Sequence, residues 1–219
     1  MNKPIFFKRY WRMLCERSTV SMGIVAAFFF ASGIIFWGGF NWTMEVSNTE
    51  EFCIGCHEMK DNVYPSYTKS IHYSNRSGVR AVCSDCHVPH EFADKIVRKI
   101  QASKEVWGKI TGKINTPEKF AAHRLSMAQR EWKRFNENDS LECRNCHDQA
   151  FMNFDKQGAP GTFMHGEMIT TGKFTCINCH KGIAHKLPEI ENLDQISAST
   201  LEPTMRPPYD HSKSTLESN

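Results

Sequence analysis

Cys53-Ile54-Gly55-Cys56-His57 opens a pattern that returns as Cys83-Ser84-Asp85-Cys86-His87, Cys143-Arg144-Asn145-Cys146-His147 and Cys176-Ile177-Asn178-Cys179-His180. Eight of the nine cysteines fall in these four pairs, and Cys15 stands apart. Paired cysteines fit disulfides, a metal site or haem attachment. Zinc ribbons and thioredoxin-like sites also use CxxC, but neither needs a histidine directly afterwards. Haem attachment does, because two thiols add to the two vinyl groups of one porphyrin and the next residue offers an imidazole to its iron. Four such histidines by chance have odds of about one in 10⁵. The chain is therefore expected to carry four covalently bound haem c groups, through Cys53, Cys56, His57, Cys83, Cys86, His87, Cys143, Cys146, His147, Cys176, Cys179 and His180.

The spacing repeats. His72 precedes Cys83 by eleven positions, and His165 precedes Cys176 by the same eleven. His90 follows the second motif and His185 follows the fourth. The chain reads as two dihaem units, 53–90 and 143–185, joined by helices over 91–135. A six-coordinate haem iron takes a second axial ligand, usually His or Met. Besides the motif histidines His87, His147 and His180, the expected iron ligands are His72, His165 and His185, with His90 in reserve. His123 reads as structural and His211 as solvated. The first motif continues into Glu58-Met59. Met59 is open to two readings: core packing, the usual fate of methionine, or ligation of the first iron.

Before the motifs, Ser18 to Thr43 holds no charge and is rich in Val, Ile, Ala and Phe. About 20 apolar residues at 1.5 Å rise cover the ~30 Å hydrocarbon core. Lys3, Lys8, Arg9, Arg12 and Arg17 precede it against one acid, Glu16, which places the N-terminus in the cytoplasm. A cleaved signal would have a shorter core and a small-x-small site after it, and Gly38-Gly39-Phe40-Asn41-Trp42 offers none. The layout expected is a basic cytoplasmic segment 1–17, a transmembrane anchor 18–42, a periplasmic haem domain 43–188 and a flexible polar tail 189–219. That makes a single-pass protein of the bacterial inner membrane. Cys15 lies on the reducing side and reads as an inert thiol.

After the second motif, Phe92, Ile96, Ile100, Ser103 and Trp107 recur at helical spacing, opposed by Lys95, Arg98, Lys99 and Lys104 with Asp94 and Glu105. Such a basic amphipathic helix fits either a membrane surface or an ordinary solvated face. Thr116-Pro117 reads as the cap and first position of a second helix, with Phe120, Leu125, Ala128, Trp132 and Phe135 on one side. Little alternation of strand type occurs. The fold class expected is mainly α: one transmembrane helix plus a compact tetrahaem domain, with porphyrin supplying much of the apolar core. The net charge of +3 gives no sign of nucleic acid as a partner.

The chain resembles the NapC/NirT family of membrane-anchored multihaem quinol dehydrogenases over about residues 5–190. The resemblance rests on Ile34-Ile35-Phe36-Trp37-Gly38-Gly39-Phe40, Asn48-Thr49-Glu50-Glu51-Phe52-Cys53, Cys83 through His90, Glu142 through His147, and His180-Lys181-Gly182-Ile183-Ala184-His185-Lys186-Leu187-Pro188. The longer pentahaem relatives add a haem domain, and no fifth CxxCH occurs here. The resemblance implies oxidation of menaquinol or ubiquinol at the outer membrane face. Electrons would pass to a periplasmic reductase or its cytochrome subunit, nitrate reductase foremost. A passive wire fed by another quinol dehydrogenase and a donor to a nitrite or other reductase are the alternatives. In the family's small members the haem beside the quinol takes Met from Cys-x-x-Cys-His-x-Met, which implies Met59 as a ligand and displaces His57. The family's quinol-site lysine and acid correspond to Lys99 and Glu105, although members commonly carry Asp where Glu105 stands.

Overall fold

The computed structural model describes residues 21–189. The basic segment 1–17 with Cys15, residues 18–20 of the expected anchor, and the tail beyond 189 with His211 lie outside the described residues. The chain divides into two units, 1–47 and 48–219.

In the first unit, helix α1 runs Met22–Val46. The Ser21 hydroxyl caps it by accepting the Gly23 N–H at 3.2 Å. Its 25 residues give a length of roughly 37 Å, enough to cross a bilayer core. Mean hydropathy reaches 1.9 along it. The few polar side chains close on the helix itself: Asn41 Nδ2 donates to Trp37 O and Thr43 Oγ1 to Gly39 O, both at 2.8 Å. Those two donors are therefore satisfied without water. The helix runs four residues past the expected end at residue 42.

Among the described residues the regular structure of the second unit is all helical, with no strand. Helices α2 (Glu50–Ile54) and α3 (His57–Asn62) carry the first motif, and α4 (Tyr64–Tyr67) follows it. Helix α5 (Cys83–His87) is the second motif itself. Two long helices follow, α6 (Phe92–Ile110) and α7 (Pro117–Glu137). Helix α8 (Leu141–Arg144) carries the third motif. Helix α9 (Ala159–Phe163) runs into a π-helical turn, Met164–Ile169, and α10 (Cys176–Cys179) is the fourth motif.

Helix α7 is the spine. Thr116 Oγ1 accepts the Lys119 N–H at 3.3 Å and Pro117 sits in its first turn, as the sequence predicts. It buries Phe120, Trp132, Phe135 and Asn136. Asp139 (φ 59°) and Ser140 (φ 52°) then take left-handed backbone, which turns the chain into α8. Ser140, fully buried, accepts the Ile177 N–H through its hydroxyl at 3.2 Å. Thr175 Oγ1 donates to Asn136 Oδ1 at 3.1 Å. The third and fourth motifs are thus fixed to one helix end. Arg124, two turns into α7, donates to Lys186 O at 2.9 Å and to Asn62 O at 3.4 Å. Among the described residues the buried large apolar side chains are Tyr67, Phe120, Trp132, Phe135 and Ile169, with Pro89 and Pro188 also buried. A protein core this small suits a domain whose remaining core is porphyrin.

Candidate haem-binding site

The second and fourth motifs begin as short helices, Cys83–His87 and Cys176–Cys179, whereas the third starts in the last turn of α8 and the first at the end of α2. Two of these helices are capped from inside the motif. The Val82 N–H donates to Asp85 Oδ2 at 2.8 Å, and the Thr175 N–H to Asn178 Oδ1 at 2.7 Å. The variable residue before the second cysteine therefore has a local task in both.

No disulfide links any of the eight motif cysteines. The Cys53 and Cys83 thiols are hydrogen-bonded, and so are Cys143 and Cys176. These bonds hold Cys53 and Cys176 down to about 7 and push Cys83 and Cys143 up. Cys86 lies close enough to Cys146 to feel its charge. The attachment points therefore adjoin in chain order, first to second to third to fourth. Among the described residues no three His, Cys, Asp or Glu side chains converge as a zinc ligand set would.

The histidines meet in pairs. His87 and His185 are stacked, with centroids 6.1 Å apart and planes at 19°. His180 and His165 are stacked at 5.9 Å and 20°. His147 and His72 lie 6.2 Å apart with planes at 78°. Two imidazoles bound to opposite faces of one metal at ~2.0–2.1 Å have centroids about 6 Å apart. The donor set fits haem at these three motifs. His72 and His185 each bury Nδ1 without a protein hydrogen bond, so they lack a protein partner that would compete for the ring.

Burial pushes the His185 imidazole down to about 4, helped by the charges of His87 and Arg124. Burial likewise lowers His180, with His165 and His147 adding to it. Both rings are thus kept neutral, the form that binds iron. His165 Nδ1 is tied to Gln157 Oε1, which leaves Nε2 for a metal.

The first motif is different. Among the described residues no histidine ring faces His57. Its Nε2 instead lies 3.3 Å from Glu58 Oε1. Glu58 is 2% exposed, and its other oxygen lies 3.7 Å from Lys109 Nζ on α6. Met59 follows on the same helical turn. His90 and His123 are exposed, and His123 Nδ1 contacts Lys119 O of its own helix at 2.9 Å, as a structural role predicts.

Sequence reasoning passed over the groups that hold the second motif. Arg98 Nε donates to His87 O at 3.0 Å, and Arg134 Nη2 to Cys86 O at 3.1 Å. Glu131 joins them: Oε1 accepts from Arg98 Nη2 at 2.7 Å, while Oε2 accepts from Arg134 Nε at 3.0 Å and lies 3.4 Å from His87 Nδ1. A carboxylate against the outer nitrogen of a ligating histidine fixes its ring. Charges 33 to 48 residues apart leave no local spacing to find them by.

Lys99 and Glu105 both lie on α6. Lys99 is half-buried and its charge reaches Cys53, whereas Glu105 is exposed. Six residues apart, they leave the helix roughly 120° from one another, so the structure does not bring them onto one face.

The chain is 54% identical to the cytochrome c-type protein NapC of Escherichia coli K12 over 88% of this chain and 96% of that protein. It is 54% identical to NapC of Paracoccus pantotrophus over 84% of this chain and 78% of the other. It is 56% identical to the denitrification system component NirT of Stutzerimonas stutzeri over 77% and 84%. No solved structure matches the chain. The model of the NapC/NirT cytochrome c family, N-terminal region, matches residues 15–190. Motifs, anchor helix and relatives agree, and the chain belongs to the NapC/NirT family of membrane-anchored c-type cytochromes.

Proposed function

We propose that this chain holds four haems, oxidises quinol at the outer face of the bacterial inner membrane, and passes the electrons to a periplasmic reductase. Haem supplies one-electron storage and transfer when bound. The chain's part would be to hold the haem irons through paired histidines. The observation that carries the reading is the meeting of three motif histidines, His87, His147 and His180, with His185, His72 and His165 at 5.9–6.2 Å. These are proposed as the axial pairs of the second, third and fourth haems. A site of bis-histidine irons leaves no open position for a small substrate, which favours electron transfer over terminal reduction.

The first haem is assigned Met59, with His57 turned to Glu58. A methionine ligand raises the potential, which favours reduction of that haem by its donor. A quinol releases two electrons and two protons, so the site needs side chains that hold its head and take protons. Lys99 Nζ and the Glu105 carboxylate are proposed for these tasks. The N-terminus is assigned to the cytoplasm and the haem domain to the periplasm. Among acceptors, nitrate reductase is the one the family resemblance implies.

The test is purified protein in liposomes with a reduced quinol analogue, followed at the haem α-band. Reduction within seconds to minutes is expected. Lys99→Gln and Glu105→Gln slow it while four haems remain attached. A protein reduced by dithionite but inert to quinol would be a passive wire fed by another dehydrogenase.

A further inference from the structure

Helix α6 is inverted relative to what a water-soluble domain requires. Two of its basic side chains turn to the domain, while Asp94, Lys104 and Glu105 stay exposed: Arg98, with a side chain 12% exposed, binds Glu131 and the His87 carbonyl. Lys109 reaches toward the buried Glu58. Its apolar side faces out, with Ile100 67%, Trp107 65% and Ile110 70% exposed and Val106 also bare. At about 100° per residue, Ile100, Ser103, Val106, Trp107 and Ile110 share an arc of roughly 120°, with Arg98 and Lys109 on the other side. An amphipathic helix in a soluble protein turns its apolar stripe inward. A contiguous exposed apolar stripe marks a contact surface.

The rim of the stripe says what it contacts. Lys104 and Lys113 flank Trp107 in a shallow groove of about 580 Å³ that Ser103 and Gly108 complete. Five basic residues stand against two acidic ones along the helix. An indole between bare aliphatic side chains and lysines is the profile of a helix in the headgroup region of an anionic bilayer. A bilayer is at hand by covalent connection. Only residues 47–49 join α1 to α2, a reach of about 10 Å.

We propose that α6 is a second membrane element. It lies in the interface with Ile100, Val106, Trp107 and Ile110 at the acyl boundary, and with Lys104 and Lys113 on lipid phosphates. The inverted polarity then has a cause: one side of the helix grips the second motif and the other rests in lipid. This stands on the membrane anchor and is independent of the quinol reading.

The experiment uses the full holoprotein in vesicles of phosphatidylethanolamine and phosphatidylglycerol. A photoreactive benzoylphenylalanine replaces Trp107 or Ile110, or, as controls on the other side of the helix, Asp94 or Gln101. Haem content and the Soret band establish that each variant is folded. Lipid adducts, weighed by peptide mass spectrometry, are expected several-fold more often at 107 and 110 than at 94 and 101. Equal yields at all four positions overturn the proposal, as does a second copy of the chain as the main adduct. Lys104→Glu with Lys113→Glu is expected to lower the yield at 107 several-fold in these anionic vesicles. No change with that pair overturns the role given to the lysines.

Discussion

Glu131→Gln tests how the second motif is held. Glu131 receives Arg98 at 2.7 Å and Arg134 at 3.0 Å, and lies 3.4 Å from His87 Nδ1. Burial pushes its carboxyl up, but contact with His87 and the charges of Arg98 and Arg134 outweigh this and hold it down to about 2. Glutamine keeps the shape and removes the charge. Removing one partner of a buried ionic set costs roughly 3–5 kcal/mol. All three side chains here keep some exposure and Arg134 keeps Glu142, so about 2–3 kcal/mol is expected. For a domain of this size that is a fall of roughly 4–12 °C in Tm. A carboxyl held low in the folded state stabilises fully above its ordinary value of 4.5 and ceases to do so as pH falls toward 2. The variant and the parent therefore differ most at neutral pH and converge in acid. The assay is urea unfolding of the holoprotein, followed by Soret absorbance and far-ultraviolet dichroism, with haem content checked. Arg98→Leu completes a double-mutant cycle with an expected coupling of about 1–2 kcal/mol. A loss below about 0.5 kcal/mol, or additivity within about 0.3 kcal/mol, refutes the account of Glu131 as the keystone of the α6–α7 clamp.

His185→Ala removes the ring stacked 6.1 Å from His87. One of the low-spin ferric signals is expected to convert to high spin in EPR while haem content stays unchanged, and an unaltered spectrum rejects the pairing. Gly182→Ala acts on the same histidine through the backbone. Gly182 has φ +79°, and an added Cβ would lie 3.0 Å from Leu187 Cγ. Left-handed backbone at a residue with Cβ costs about 1–2 kcal/mol, so partial high-spin character at that haem is expected together with a lower unfolding midpoint. A variant with parental stability and EPR shows that this turn does not place His185.

The sequence made the local chemistry legible and left the long-range assembly obscure, for one physical reason. CxxCH is a covalent requirement within five residues, and an anchor helix is a solvation requirement within one segment. Both are complete without the rest of the chain. Helices α6 and α7 were readable in the same way, from 3.6-residue periodicity and from the Thr116-Pro117 start. The histidine candidates were readable by count, because the irons need partners. Their pairing was not, since His87 and His185 meet across about 100 residues. Glu131, Arg98 and Arg134 were missed because a charge on a helix reads as solvated unless one knows what packs against it. The outward stripe of α6 was seen as a periodicity, yet its direction depends on which side the domain grips. Lys99 and Glu105 come from resemblance alone, and their geometry on α6 adds no mutual contact.

The pairing bears on how such a chain folds at all. The equal spacing of His72 and His165 before the second and fourth motifs suggests two copies of one dihaem unit. His165 does meet His180 within its own unit. His72, however, meets His147 of the other unit, and His185 reaches back to His87. Under the proposed ligation, two of the irons are held jointly by residues from both halves. Neither half then completes its ligand set alone, and the buried protein side chains are too few to hold a half together without one. Helix α7 sits between the halves and binds the second, third and fourth motifs by hydrogen bonds through Arg134, Ser140, Asn136 and their neighbours. Under that proposed ligation the repeat is visible in spacing alone, and the exchange of histidines would tie the two halves into a single cooperative domain. The attachment cysteines also adjoin in chain order, so the proposed haems would follow one another in the same order across both halves.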